Sequence, residues 1–436
     1  MKRLPLEGIR MVSLAPMWAG PFCCMIMADW GAESIKVESC SHFTLYTRGV
    51  MARPPQSLAA NMSAAGGYGA YAMVGYDPNT AFNRNGLFCA HNRNQLSMTV
   101  DLTRVEGKEI FKKLVAKSDI VLESQAPRVM ERLGLTYDVL KEVKPDLIML
   151  SLSGFGQTGP YRNYRAQGAH QEAFGGHTYM RGYIDEELDT NVTLYHTDEA
   201  AGSTAAFALL MAIHRRRKTG KGQYIDMAQS EAAMTHLAQG IMDRTLNKRT
   251  TERMENRDYH GAVQGCYRCW GRDDWVVITI DNDVEWRKFC KILGDPEWSK
   301  DEKFSDRLSR FRNHDELDRH IGEWTQERGK YEVMHILQGE GIAAGPVMDE
   351  RDAFTDPHIR ERRFFAKLTH TEIGTHYYPG LAWRMSKTAN NLRIATPRLG
   401  EHNDYVYKKV IGVSDEEYRA LEVDGHIGTT YIPSIF

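Results

Sequence analysis

Three groupings in this 436-residue chain are of a type and spacing that could do chemistry. The first is Tyr195-His196-Thr197-Asp198-Glu199-Ala200-Ala201-Gly202, which leads into an apolar run ending at His214-Arg215-Arg216-Arg217-Lys218 and Thr219-Gly220. Thr197 or Asp198 can cap a helix here, and the basic run complements its negative end before Gly220 stops it. Asp198 is therefore expected at a helix N-terminus, where orphan amides and the dipole favour the ionised carboxylate. The small residues that follow let another group approach. That suits a carboxylate nucleophile, and an ordinary capping aspartate is the competing reading. The second grouping is Cys266-Tyr267-Arg268-Cys269, a C-x-x-C without a second pair in an alternating, strand-like stretch, which points to core or surface thiols rather than zinc or redox chemistry. The third is Gly154-Phe155-Gly156-Gln157-Thr158-Gly159, which fits G-x-G-x-x-G after a strand. Pro160-Tyr161-Arg162-Asn163-Tyr164 follows in place of the small, periodic helix that would receive a pyrophosphate, so the motif argues little for nicotinamide binding.

The elements that must hold these groups alternate. Gly8 to Leu14 reads as a strand, Phe22 to Trp30 as a helix with Pro21 at its first position, and Ser34 to Glu38 as the next strand. Residues 40 to 90 lack a sustained period and read as a long ordered excursion near the site. Beyond it come strand Leu96–Leu102, helix Val105–Lys117, strand Asp119–Glu123, helix Val129–Val143 and strand Asp146–Ser153. A parallel sheet with helices on both faces is the expectation. Tyr224 to Met227 should lead into helix reaching about Lys248. The pattern then divides into a large α/β domain (1–228), a linker helix (229–257), a small α+β domain (258–345) and a return segment (346–436) that completes the large domain. In the small domain, Trp275–Ile280 should be a strand, with helices around Glu285–Leu293 and Leu317–Gln338; a last helix is expected around Asp415–Leu421.

Composition narrows the function classes. Hydrophobic residues make up 42% and charged residues 26%, with a net charge of −2, so no global field attracts nucleic acid or an anionic membrane. Arg215–Lys218 with Lys221 is better explained as helix C-terminal charge than as a phosphate patch. The charged N-terminus has no long apolar run behind it, and no later run approaches a membrane span, which gives the expectation of a soluble, cytoplasmic protein. Seven scattered cysteines argue against a disulfide framework, and no metal site is expected.

Several stretches together resemble one family, the class III CoA-transferases of the formyl-CoA transferase-like, CaiB/BaiF type. The resemblance rests on Leu6-Glu7-Gly8-Ile9-Arg10, Ala19-Gly20-Pro21, Trp30-Gly31-Ala32-Glu33-Ser34-Ile35-Lys36-Val37-Glu38, the Asp198 segment and Lys218-Thr219-Gly220-Lys221-Gly222-Gln223, with Gly345-Pro346-Val347 and Leu399-Gly400-Glu401-His402 late in the chain. It implies a Rossmann-like large domain with a smaller α+β domain, built as an interlocked-ring dimer. It also implies that Asp198 attacks an acyl-CoA thioester to give a mixed anhydride, and then an aspartyl-CoA thioester from which an acceptor carboxylate takes CoA. The partners so implied are an acyl-CoA and a carboxylic acid, with coenzyme A as part of the substrate and no cofactor held permanently. Matching positions place CoA against Trp18, Ala19, Ser39, Asn92, Arg93, Asn94, Gln95, Ser124, Gln125, Ala126, Arg132, Ser153, Gly154, Phe155 and Gly156. A loop at Tyr259–Gly265, with Gly261 and Gly265, would cover the site. This chain departs from some members at Ser39, Gln95 and Ser153, where they carry cations, and in a bulkier cover loop. The Tyr, Met and Phe residues between 43 and 90 are candidates for the acyl pocket or for the core.

Two alternatives stay open at this stage. A related chemistry is 2-methylacyl-CoA racemisation, for which His170 in Gly168-Ala169-His170-Gln171 would exchange a proton opposite Asp198; Gln171 departs from the racemase pattern. The other alternative is a CoA-binding subunit of a heteromeric transferase, against which the retention of Asp198 argues. Homodimer is the expected assembly.

Overall fold

In the computed structural model of the chain, residues 4–45, 47–58, 75–190, 194–258, 260–388 and 390–435 are described. The expected aromatic lining between 43 and 90 therefore falls partly outside them, at Tyr46 and residues 59–74, as does Tyr259 of the expected cover loop. The chain divides into two compact units, residues 1–176, 193–238 and 361–436, and residues 177–192 and 239–360. The return to the first unit thus comes at 361 rather than 346, and residues 177–192 group with the second.

Short strands with apolar residues on both faces build the first unit's sheet, because parallel strands are covered on both sides. The strands are β1 (Arg10–Leu14), β2 (Glu33–Glu38), β3 (Gln95–Thr99), β4 (Ile120–Glu123), β5 (Ile148–Ser153) and β6 (Gln223–Ala228), all parallel, in the order β3-β2-β1-β4-β5-β6. This is the doubly wound order of Rossmann-type sheets. Alternate side chains go to opposite faces. Met11, Leu122 and Leu150 pack under helices α1 (Ala19–Asp29) and α7 (His196–Thr219). Val12, Val121 and Met149 pack beneath α3 (Val105–Ala116), α5 (Tyr137–Val143) and the returning segment at Val406, Tyr407 and Val410.

The remaining helices of this unit are short: α2 (Gly86–His91), α4 (Val129–Leu133), α6 (Gly168–Gly175) and α8 (Gln229–Met234). Several expectations need correction here. Helix α1 begins at Ala19, so Pro21 is its third residue and not its first. The expected helix 129–143 is two, because Gly134 takes a left-handed conformation (φ 68°) that ends α4. Tyr224–Met227 is itself the edge strand β6, paired along β5, and the expected helical stretch follows directly from Gln229 to Asn247, with a tighter turn at Thr235–Leu237. Its alternating exposure hides it in sequence from the fully apolar strands beside it.

The second unit has its own core. Strands β7 (Val263–Arg268), β8 (Trp275–Ile280) and β9 (Ala343–Pro346) form an antiparallel sheet, with Val276, Ile278 and Ile280 packing on α9 (Asp283–Ile292), α10 (His314–Gln326) and α11 (Lys330–Gly339). Two helices replace the single one expected over 317–338, separated at Gly329. Cys266 lies within β7 and Cys269 is buried just beyond it, where burial pushes its thiol up to about 11. Such a thiol is a core group rather than a nucleophile. Gly265 also lies inside β7, so part of the stretch expected as a cover loop is strand, while Gly261 makes a left-handed turn (φ 80°) before it. After residue 360 the chain adds the hairpin β10 (Phe365–His370) and β11 (Gly374–Pro379) and the helix α12 (Asp415–Val423). No helix among the described residues is long and apolar enough to cross a membrane.

Candidate active site

Two helix N-termini converge on Asp198. Helix α7 begins at His196 behind Tyr195, a non-glycine residue at φ 56°, and α1 begins at Ala19 behind Trp18, at φ 44° and ψ −91°. Positive φ is costly for such bulky residues, and here both strained positions flank one carboxylate. Their rings pack against each other with centroids 5.0 Å apart, and Trp18 stacks on His91 at 5.7 Å. Asp198 is thus an interior first-turn residue and not the cap expected from the sequence. The small residues after it serve first to bring α1 close: a Cβ on Gly202 would lie 2.6 Å from the Ala19 carbonyl oxygen. On the other side, a Cβ on Gly168 would collide with Asp198 Oδ2.

The electrostatics correct a second expectation. Asp198 is 9% exposed, and burial, together with the neighbouring Glu199 and Glu172 carboxylates, pushes its carboxyl up to about 7. The Ala19 N–H donates to it and pulls the other way without outweighing them. Helix ends do favour the anion, but removing a carboxylate from water costs more than one amide returns. No cationic side chain among the described residues pairs with Asp198. Glu172, from α6, is fully buried and accepts from the backbone N–H groups of Leu194 (3.3 Å) and His196 (3.0 Å) and from the His196 ring at 3.1 Å. It caps α7 from across the site, holding the left-handed turn at Tyr195 that presents Asp198.

Asp198 opens on a cavity of about 610 Å³ at the C-terminal edge of the sheet. The loops after β1 and β4 form part of its wall, and these two strands are where the chain order reverses, the usual ligand position in such sheets. Of the positions matched to CoA contacts, Trp18, Ser124, Gln125, Ala126, Ser153 and Gly154 line this cavity, as does His170; Ala19 reaches Asp198 through its backbone. The others are elsewhere. Ser39 bonds Ser41 beyond β2 (2.9 Å). Arg93 and Asn94 are committed to Asp29 (2.8 and 2.6 Å), Gln95 to backbone carbonyls of Pro21 and His91, and Asn92 to that of Phe88 (2.9 Å). Arg132 is exposed on α4. Phe155 packs edge-on to Phe174 at 5.0 Å, and Gly156 (φ 79°) precedes Gln157, whose N–H donates to Asp226 at 2.9 Å. A carboxylate of the chain itself thus occupies an amide of the G-x-G-x-x-G loop, and the next helix starts only at Gly168. Of the basic run, Arg216 ties the end of α7 to Asp119 at 2.8 Å.

Sequence reasoning missed Glu172, Gln171, Tyr195 and Gln229. Gln171 and Gln229 are buried cavity residues, and Tyr195 is part of its wall. A glutamine or glutamate on a short helix carries no signal unless the fold shows it to be buried; a tyrosine just before a cap position shows nothing of its φ. No cluster of three or more His, Cys, Asp or Glu suited to a metal ion occurs among the described residues.

Comparison with known proteins places the chain in a family. The model of CoA-transferase family III matches residues 6–403. The chain is 28% identical over 425 residues to the succinyl-CoA–L-malate CoA-transferase beta subunit of Chloroflexus aurantiacus, covering 96% of this chain and 97% of that one. It is 26% identical over 438 residues to the formyl-CoA:oxalate CoA-transferase of Streptomyces coelicolor, covering 97% and 99%. Among solved structures, a CaiB/BaiF family protein from Brucella suis superposes with a TM-score of 0.79 at 27% identity, over 94% of this chain and all of that one.

Proposed function

The chain belongs to CoA-transferase family III, and from that premise we propose that Asp198 carries the transfer covalently, passing CoA from an acyl-CoA donor to a carboxylic acid. The observation that supports this most is the Asp198 carboxylate itself: buried, without a cationic partner, titrating near neutrality, and at the end of a cavity at the sheet's switch point. A desolvated carboxylate with no counter-ion is a better nucleophile than a paired one, because no solvation or ion pair is given up on attack. Its oxygen attacks the thioester carbonyl, and the tetrahedral oxyanion collapses with CoA thiolate leaving, which yields an acyl-aspartyl anhydride. The thiolate then attacks the Asp198 carbonyl and releases the donor acid as a carboxylate, leaving aspartyl-CoA. An acceptor carboxylate attacks that thioester, expelling thiolate and forming a second anhydride. Attack of the thiolate on its acyl carbon gives the product thioester and restores Asp198. No net proton or electron moves. The first-turn amides of α1 and α7 stabilise the charge that develops at each step.

His170 favours this reading over racemisation. Its Nδ1 accepts from the Gln167 backbone N–H at 3.2 Å, which leaves the ring proton of the neutral imidazole on Nε2. Such a ring donates a hydrogen bond from Nε2 and has no free lone pair to take an α-proton. CoA would contact the cavity residues Trp18, Ser124–Ala126, Ser153 and Gly154. The assembly we propose is a homodimer: Phe207 (65% exposed), Leu210 and Met211 leave an apolar face on α7 of the kind a second chain covers.

The test is mass spectrometry of the Asp198 peptide after incubation with a panel of acyl-CoAs and trapping with hydroxylamine or borohydride. An adduct on Asp198 that is absent in Asp198→Ala is expected. Absence of any adduct, with solvent deuterium entering the α-carbon of a 2-methylacyl-CoA, would overturn the transferase mechanism. Light scattering on the purified chain reads the assembly, with twice the chain mass expected.

A further inference from the structure

We infer that Gln171 and Ser153 form a subsite beside Asp198 that reads a hydroxyl group on the acyl chain being transferred, so that hydroxyacyl thioesters are the favoured substrates. This rests on the reading of Asp198 as the group that takes the acyl chain. Gln171, on α6, is 1% exposed, and Ser153, the last residue of β5, is 6% exposed. Both line the cavity that holds Asp198. Neither Gln171 Oε1 nor Ser153 Oγ has a hydrogen-bond partner among the described residues, although both atoms are buried. Buried polar atoms of this kind are rare in folded proteins, and each disfavours the ligand-free site.

Gly154 adjoins both. It follows Ser153 directly, and a Cβ there would lie 3.3 Å from Gln171 Nε2 and 3.0 Å from the Ala166 side chain. With no side chain at 154, the amide of Gln171 lies against the end of β5. The pair then presents a carbonyl-type acceptor and a hydroxyl that both donates and accepts. A ligand hydroxyl satisfies both, donating to Gln171 Oε1 and accepting from Ser153 Oγ. A second carboxylate on the substrate would fit worse, since it can only accept. It would also meet a region already charged by Asp198, Glu199 and Glu172, and the one Arg or Lys among the described lining residues, Arg165, is exposed. An alternative donor is an amide or hydroxyl of the pantetheine arm, which every CoA thioester carries, and the experiment separates the two.

The test uses the full chain with butyryl-CoA, 2-hydroxybutyryl-CoA and 3-hydroxybutyryl-CoA as donors and acetate as acceptor, reading kcat/KM and the trapped adduct on Asp198. At least one hydroxylated thioester is expected to exceed butyryl-CoA by on the order of tenfold or more, since a site built to bind a hydroxyl rejects the analogue lacking it. Gln171→Met should bring that ratio close to one, and Ser153→Ala should lower it in part. Equal reaction of the three thioesters with the unaltered chain overturns the inference without any variant, so a misfolded mutant cannot protect it. An equal loss for all three in Gln171→Met also overturns it and assigns the pair to the pantetheine arm. If none of the three labels Asp198 while other acyl-CoAs do, the inference fails alone; if no acyl-CoA at all labels it, the reading of the site fails first.

Discussion

Asp198 is buried and Glu38 has a side chain only 9% exposed, both carboxylates lie at the C-terminal edge of the same sheet, and they are treated in opposite ways. Glu38, at the end of β2, is gripped by Arg48 through two bonds of 2.7 Å, with the Ser97 hydroxyl donating at 2.8 Å; Arg48 in turn lies 3.9 Å over the Phe88 ring. Burial alone would raise its pKa, but Arg48 holds the carboxyl below its ordinary value. Asp198 receives one backbone N–H and two like-charged neighbours, and goes up to about 7. The contrast lies in pairing rather than in burial: a paired carboxylate is spent on holding the fold, and an unpaired one keeps its reactivity at a cost in stability.

The strongest way to break the comparison is to remove the two carboxylates' functions separately. Asp198→Asn should lower transfer by about 10⁴-fold or more, since no other group can form the anhydride. It should also stabilise the fold. The folded pKa of Asp198 lies above its unfolded value of 3.8, so its contribution to stability is full below that value and is lost as pH rises through about 7. The variant should therefore gain up to about 4 kcal/mol at pH 8 and progressively less toward pH 4, read by denaturant titration. Arg48→Met should do the reverse. It should cost about 3–5 kcal/mol by leaving Glu38 charged without its guanidinium partner, with kcat of the folded fraction little changed. Because the Glu38 pKa is depressed, the pair's stability is present above its unfolded value of 4.5 and fades as pH falls below it, so the two variants should show pH-dependent stability effects of opposite slope.

Smaller changes sharpen the picture. Gly168→Ala puts a methyl group where Asp198 Oδ2 lies, and should lower kcat about a hundredfold with a modest effect on unfolding, because sub-ångström displacement of a nucleophile is enough. The smallest effect belongs to Glu172→Gln. It keeps one oxygen to accept from the His196 N–H, gives up the acceptor of the Leu194 N–H and removes a negative neighbour, so the midpoint of the pH–rate profile should move down from about 7 while the plateau rate changes by less than about threefold.

Much of this was legible in the sequence, and what was not has a common cause. The strands β1, β2, β4 and β5 announce themselves as apolar runs between turn signals, and the Asp198 segment as a capped helix start. Edge strand β6 did not, because its alternating exposure and its continuation into α8 look like the start of a helix. Arg93, Asn94 and Gln95 looked like ligand contacts by position alone; the fold turns Arg93 and Asn94 toward Asp29, and Gln95 toward main-chain carbonyls. Glu172, Gln171 and Ser153 are ordinary polar residues until burial makes their hydrogen bonds, or the lack of them, informative.

By itself the sequence determined the doubly wound α/β class, the family, and the one aspartate on which the chemistry turns, since periodicity, turn residues and short motifs are properties of neighbours along the chain. Only the tertiary structure decided what that aspartate is: desolvation depends on everything packed around a group, and α1, near the start of the chain, meets the later helices α6 and α7 at Asp198 only through the fold. Its near-neutral pKa, the glycine that makes room for it and the glutamate that caps its helix are consequences of that packing.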